Sequence, residues 1–291
     1  MPELPEVETI KNDLVAAGLC VRTIQSADIF WHRTLAVPSL KEFQKQIVGA
    51  KIMSLSRRGK YLVFKVRCAT YDLHQKERSS FLILHLRMSG KIDLKAADFA
   101  PRKHDRARLV FENGTQLLFH DTRKFGRWYF VDDAEKIVGK LGIEPLDAKF
   151  TAAWLIKNLK DKKRILKPLL LDQTLIAGIG NIYADEALWY AQLNPEINSS
   201  RLSPKEVKAL HAGIVKAILL GVRNAGTSMG VGKANFYSVS GKRGSNQEAL
   251  KVFRRTGEPC PRCRAKILRI VVGQRSTHFC PRCQSDSKRK T

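Results

Sequence analysis

Two cysteine knuckles near the end of the chain constrain the fold more than any other feature. Cys260-Pro261-Arg262-Cys263 is followed, sixteen residues later, by Cys280-Pro281-Arg282-Cys283. Each C-x2-C turn offers two sulfurs from one tight bend, and two such turns make the tetrahedral thiolate set that Zn2+ takes in structural sites. Four cysteines leave no open coordination position, so the expected ion is one structural Zn2+ and not a catalytic one. Disulfides are the alternative, and they conflict with a reducing compartment. Between the knuckles, 266–272 and 276–279 read as a β-hairpin carrying Arg269 and Arg275. A metal-stapled hairpin with arginines at its tip suits contact with a nucleic-acid duplex. Cys20 and Cys68 stand alone and read as ordinary buried thiols.

Charge says what such a finger would meet. The 291 residues hold 52 Lys+Arg against 27 Asp+Glu, a net charge of +25. From Lys251 to the end there are 12 basic residues and only Glu258 and Asp286 as acids. Nucleic acid is the expected partner for a chain this basic, ahead of a membrane surface or merely solubilising charge. Further clusters lie at Arg57-Arg58-Gly59-Lys60, Arg102-Lys103-His104, Arg106 with Arg108, Arg123-Lys124 with Arg127, and 160–167. They are interleaved with apolar segments, which predicts folded elements converging on a groove. No stretch approaches the roughly 20 apolar residues of a membrane span. The acidic start MPELPEVETIKNDL lacks the plan of a secretion signal, so the expected location is the cytoplasm.

The hydrophobic pattern divides the chain. Residues 5–17 read as a helix with Pro5 in its first turn and Gly18 at its end. Short alternating runs follow at 21–29, 51–56, 61–66, 81–86, 107–111, 116–119 and 128–131, with Asn113-Gly114 as a hairpin signal. Seven candidate strands behind one helix predict a β-sandwich or barrel over 1–133. Residues 134–150 read as a linker, and from 151 to 250 the period becomes helical. Thr151 and the Ser203-Pro204-Lys205-Glu206 capping box open helices, and a glycine turn, Gly178-Ile179-Gly180, opens a third at Asn181. The segment 226–244 is rich in Gly and Ser and reads as a mobile loop. The zinc finger occupies 251–291. The fold class is therefore α+β: an N-terminal β-sandwich with a leading helix, then a helical domain with a β-hairpin zinc finger.

The N-terminus carries a second chemical signal. Initiator methionine is normally removed before proline, which exposes the secondary amine of Pro2. An α-amino group titrates near 7.7 to 8.0, so part of it is unprotonated at neutral pH. Addition of a secondary amine to a sugar C1′ gives an iminium, an electron sink for elimination at C2′. Glu3 is placed to act as general acid, and Glu6, one turn on, to organise the amine or relay protons. Taken alone, an acidic N-terminal helix is only a capped helix.

MPELPEVET at the start, GIGNIYADE in the middle and CPRC…HFCPRCQ at the end together resemble formamidopyrimidine-DNA glycosylase, the bacterial base-excision enzyme for oxidised purines. The resemblance runs through nearly the whole chain in order. It implies a bifunctional glycosylase and AP lyase with a helix–two-turns–helix element, bound to damaged double-stranded DNA as a monomer in the bacterial cytoplasm and at the nucleoid. Under it, Pro2 matches the Schiff-base nucleophile, Glu3 the general acid, Lys60 the lysine of β-elimination and Arg275 the arginine of δ-elimination. His104, Arg123, Lys162 and Asn181 match DNA-contact positions. Met88, Arg123 and Phe125 resemble a triad that fills the space left by an extruded nucleotide. The connection 68–80 is longer than the resemblance leads one to expect, and 226–244 falls where a lesion-capping loop lies without naming a base contact. An endonuclease VIII-like enzyme for oxidised pyrimidines and a non-enzymatic zinc-finger DNA-binding protein are the alternatives. Leu4 speaks against the first and the Pro2, Glu3 and Lys60 set against the second.

Overall fold

The computed structural model describes residues 1–68, 79–96, 98–230 and 235–285. Most of the 68–80 connection therefore lies outside the described residues, as does 231–234 of the glycine-rich segment. The chain forms two compact units: 1–140 with 225–244, and 141–224 with the chain from 245 on. Among the described residues no helix is long and apolar enough to cross a membrane.

The first unit is the expected β-sandwich with a leading helix. Helix α1 (Leu4–Ala16) buries Leu4, Val7, Ile10 and Leu14 along one stripe. One sheet takes the order β1-β7-β8-β6, from β1 (Ile24–Ile29), β6 (Lys91–Ala96), β7 (Asp105–Phe111) and β8 (Thr115–His120). The other takes the order β2-β9-β5-β4-β3, from β2 (Leu35–Val37), β3 (Lys51–Arg58), β4 (Tyr61–Arg67), β5 (Ser79–His85) and β9 (Arg127–Val131). Pairing is antiparallel except between β2 and β9. Inward residues of both sheets share one core, in which Phe119 of β8 meets Trp128 of β9 at 5.8 Å between ring centroids. Burying each such side chain contributes roughly 1.5–3 kcal/mol.

Two strands and two helices escape the sequence pattern. Strand β2 is three residues long, and β6 reads Lys-Ile-Asp-Leu-Lys-Ala, in which only Ile92 is buried. Helix α2 (Leu40–Ile47) is amphipathic and capped by Ser39, whose Oγ accepts the Glu42 N–H at 3.3 Å. Helix α3 (Glu135–Val138) is a single turn near the end of the first stretch of this unit.

The glycine-rich segment 226–244 lies within the 151–250 stretch read as the helical domain, yet in its described part it groups, from residue 225, with the sandwich. Phe236 is 2% exposed within the sandwich core. Asp13 of α1 accepts the Val239 N–H at 2.9 Å, and Lys91 lies over the Tyr237 ring at 4.7 Å. Composition misleads here because the serines turn inward: Ser228 Oγ donates to Phe236 O at 2.8 Å and accepts from Gly244 N at 2.9 Å.

The second unit contains α4 (Ala152–Leu159), α5 (Leu166–Leu170), α6 (Asn181–Ala191), α7 (Pro204–Arg223) and the hairpin β10 (Leu268–Val272) with β11 (Arg275–Phe279). The expected caps form: Thr151 Oγ1 accepts from Trp154 N at 3.0 Å, and Ser203 with Glu206 closes a capping box. The chain entering the finger is pinned by Glu186 of α6, whose buried carboxylate accepts the N–H groups of Lys251, Val252 and Phe253 at 2.8–2.9 Å. Burial pushes the Glu186 pKa up against those bonds.

Phe236→Ala removes a core anchor from the returning segment. It should destabilise the first unit by about 3 kcal/mol and raise amide hydrogen exchange at Thr227 and Ser228, measured by mass spectrometry. Unchanged protection there would contradict the anchoring role.

Candidate active site and nucleic-acid interface

In the first unit the chain start is held in place and not left to fray. Pro2 is buried, Glu3 is 2% exposed and Glu6 is 1% exposed. Glu3 caps α1, and Glu6 closes its first turn by accepting the Glu3 N–H at 2.8 Å. The second oxygen of Glu6 accepts the Thr227 N–H at 2.7 Å, tying the returning segment to the chain start. Gly226 makes that approach possible: its φ is +81°, and a Cβ there would lie 2.9 Å from Glu6 Cγ. With Met1 attached, the Pro2 nitrogen is an amide.

Lys60 is the second residue of the β3–β4 turn, immediately before β4, and is 6% exposed, too buried to be a solvated strand-end charge. The turn is bound to α1 by Arg57, whose Nε meets Glu8 at 2.7 Å and whose Nη1 donates to Gly59 O at 3.0 Å. Despite partial burial, Lys11 and Arg57 hold the Glu8 pKa below its ordinary value. Beside Lys60 sits a residue that sequence reading missed, His85. Its ring packs edge-on against Tyr61 with centroids 4.5 Å apart, and its Nδ1 accepts the Arg87 N–H at 3.0 Å. That bond puts any proton of the neutral ring on Nε2. Burial, then the charges of Arg87 and Lys60, push its pKa down to about 3.

The three residues read as void-fillers come together. Met88 and Phe125 are 45% and 46% exposed, so neither is a core residue. Arg123 links them: its Nη1 lies 3.2 Å from Met88 Sδ and its guanidinium 4.8 Å from the Phe125 ring centroid. His104 sits on the approach to β7, its Nδ1 3.0 Å from Arg106. Partial desolvation and the Arg106 charge lower its pKa.

In the second unit the hairpin tip presents Arg275 to solvent. Asn181 opens α6, where unpaired N–H groups and the helix dipole favour an anion; its side-chain amide donates to Ser276 O at 3.0 Å. Lys162 lies half-buried in the turn after α4. One member of the 160–167 cluster turns inward and is not available to an external partner. Lys167 is 0% exposed; its Nζ meets Asp185 at 2.6 Å and donates to Ser276 O and Thr277 Oγ1, both at 2.8 Å. Asp185 in turn accepts the His278 N–H at 2.9 Å. A buried ion pair of this kind positions β11 behind Arg275.

The sulfurs of Cys260, Cys263, Cys280 and Cys283 all lie within 4.8 Å of one another. The pairs Cys260–Cys283 and Cys263–Cys280 are 3.9 and 3.4 Å apart, near the roughly 3.8 Å edge of a tetrahedron with Zn–S of about 2.3 Å. The donor set therefore fits one structural Zn2+. Trp189 Nε1 donates to Cys260 Sγ at 3.4 Å, a bond that favours the thiolate, and Arg262 stacks on the same indole at 4.2 Å.

Comparison with known proteins follows the same division. Residues 1–128 match the formamidopyrimidine-DNA glycosylase N-terminal domain, 141–232 the H2TH domain of that enzyme, and 257–285 a zinc finger found in FPG and IleRS. A formamidopyrimidine-DNA glycosylase of Protochlamydia amoebophila is 46% identical over 98% of this chain and 99% of its own. One from Pelotomaculum thermopropionicum is 40% identical over 98% and 99%. Among solved structures, a complex between a Lactococcus lactis FPG mutant and a Fapy-dG containing DNA superposes with a TM-score of 0.87 at 34% identity, covering 98% of this chain and 100% of that one.

His85 gives a pH-dependent prediction. Its folded pKa, about 3, lies below the unfolded value of about 6.5. Above 6.5 both states are neutral and the group contributes nothing. Below it the unfolded chain takes a proton that the folded one refuses, so stability falls with pH by up to about 1.4 kcal/mol per unit until pH 3. Denaturant titrations of His85→Gln between pH 7 and 4 should show a shallower decline than the parent; parallel curves would refute it.

Proposed function

Because the chain belongs to the formamidopyrimidine-DNA glycosylase family, we propose that it is a bifunctional base-excision repair enzyme that removes 8-oxoguanine and formamidopyrimidines from duplex DNA and then cuts the backbone by β,δ-elimination. The observation that carries this reading is the burial of Pro2, Glu3 and Glu6 at a chain start held rigid by Glu6. A terminal amine is a useful nucleophile only if it is fixed in space.

Removal of Met1 frees the secondary amine of Pro2. Its lone pair attacks C1′ of the extruded nucleotide while the bond from C1′ to the damaged base breaks; the base leaves with the electron pair of that bond and takes up the proton that the amine gives up. Glu3 protonates the sugar ring oxygen, the ring opens, and the C1′–nitrogen bond becomes an iminium. The positive nitrogen accepts the electron pair left when C2′ loses a proton, and the 3′ phosphate departs. Lys60 serves this β-elimination. In the second, δ, elimination C4′ loses a proton, its electron pair passes through the conjugated system, and the 5′ phosphate departs with Arg275 assisting; hydrolysis of the iminium then returns the amine. Glu6 acts through position, because both its oxygens hold backbone N–H groups.

His104, Lys162, Arg275 and the amides around Asn181 serve as phosphate contacts. Met88, Arg123 and Phe125 fill the vacated space, the arginine facing the orphaned base. Zn2+, held by the four cysteines, fixes the finger that carries Arg275 and takes no part in the chemistry. The relatives favour neither an endonuclease VIII-like preference nor a purely DNA-binding role. A monomer acting in the bacterial cytoplasm, at the nucleoid, accords with this function.

Borohydride added to the mature protein with an 8-oxoguanine:C duplex should trap a covalent adduct whose protein side maps to Pro2. Acetylating the terminal amine should abolish it; an adduct surviving acetylation would sink the amine mechanism. A thymine-glycol duplex run in parallel should be the poorer substrate. For binding, the logarithm of affinity should fall linearly with the logarithm of salt concentration, by about 0.9 per phosphate contact, and an affinity flat with salt would contradict a phosphate-led interface.

A further inference from the structure

Asp121 follows β8 and is 1% exposed, yet no step above uses it. Its carboxylate is saturated by donors from two turns that lie over thirty residues apart in sequence. One oxygen accepts from Ser89 Oγ and from the Arg123 N–H at 3.1 Å; the other accepts the Gly126 N–H at 2.7 Å. Ser89 Oγ also accepts the Arg123 N–H at 3.2 Å, so the hydroxyl is donor to one turn and acceptor from it at once. The Asp121 backbone is fixed as well, its N–H donating to His104 O at 2.9 Å and its carbonyl accepting from Arg106 Nε at 2.8 Å.

Both turns rest on the same floor. A Cβ on Gly126 would lie 2.2 Å from Phe119 Cζ, and one on Gly90 would lie 2.9 Å from Phe119 Cε2. Phe119 is 0% exposed and cannot yield to either. Above this floor stand Met88 from one turn and Arg123 and Phe125 from the other, exposed but already in mutual contact.

We propose that Asp121 is a positioning residue that joins the Met88 turn to the Arg123 turn through Ser89, making one rigid wedge, and that discrimination of the base opposite the lesion depends on this joint. The proposal rests on the void-filling reading of Met88, Arg123 and Phe125. A group that must read an orphaned base in competition with water gains selectivity from being held before it arrives. The carboxylate is required because three donors converge on two acceptor oxygens; an asparagine offers one acceptor and aims N–H groups at the other donors.

The test is single-turnover excision of 8-oxoguanine placed opposite each of the four bases, with thermal unfolding followed for every variant. Ser89→Ala keeps both backbone bonds to Asp121 and separates the joint from folding, which Asp121→Asn does not. Ser89→Ala should narrow the spread of rates across opposing bases about fivefold, the size of one net hydrogen bond, and Arg123→Ala should narrow it further. In the Arg123→Ala background, Ser89→Ala should change the spread no more. A general loss of stability would scale all four rates together. If Ser89→Ala and Asp121→Asn scale all four rates alike while Arg123→Ala alters the spread, the joint is refuted. If Arg123→Ala itself leaves the spread intact, the void-filling reading fails and the proposal with it.

Discussion

The ends of a protein chain fray unless something holds them, and the proposed chemistry requires a terminal nitrogen that does not move. One carboxylate meets that constraint. Glu6 spends one oxygen on the Glu3 N–H and the other on the Thr227 N–H, so the start of α1 is fixed both to itself and to a segment more than two hundred residues away. Pro5 adds to this by having no N–H to satisfy in the first turn. The β3–β4 turn, which holds Lys60, is fixed to the same helix through Arg57 and Glu8. The proposed nucleophile and the proposed elimination lysine therefore depend on contacts to one short helix, and the rest of the sandwich gives that helix a surface to lie on.

Charge is used in two ways that the sequence does not separate. Arg275 and Arg123 stand in solvent, available to a polyanion. Lys167, Arg57 and Arg108 are consumed internally by Asp185, Glu8 and Asp28. The buried Lys167–Asp185 pair is justified less by stability, since burying both charges costs about as much as their attraction returns, than by geometry. It fixes β11 relative to α5 and α6 and so aims the hairpin tip.

The parts of the fold legible in the sequence are those set by short spacings. The two cysteine knuckles, the Ser203–Glu206 capping box, the Asn113-Gly114 turn and the helix that starts at Asn181 each depend on residues within a few positions of one another. The parts that were not legible depend on distant partners. Nothing local tells Lys167 from Lys162; the difference is Asp185 and the backbone of β11. His85 reads as one polar residue inside an apolar run until Tyr61, Arg87 and Lys60 surround it. Strand β6 alternates polar with apolar residues but buries only Ile92, and as an edge strand it owes its place to β8. The inward turn of Ser228 and Phe236 is invisible to composition, which sees only glycine and serine.

The return of residues 225–244 to the sandwich has a consequence for how the protein comes into being. The ribosome delivers the strands of the first unit early, but the backbone N–H of Thr227 and the side chain of Phe236 emerge only after the helices between them. At ordinary elongation rates that interval is on the order of five to twenty seconds. During synthesis the sandwich therefore waits, lacking the second ligand of Glu6, until the helical segment has been made. The proposed catalytic end of the chain, made before those helices, is among the last parts to be finished.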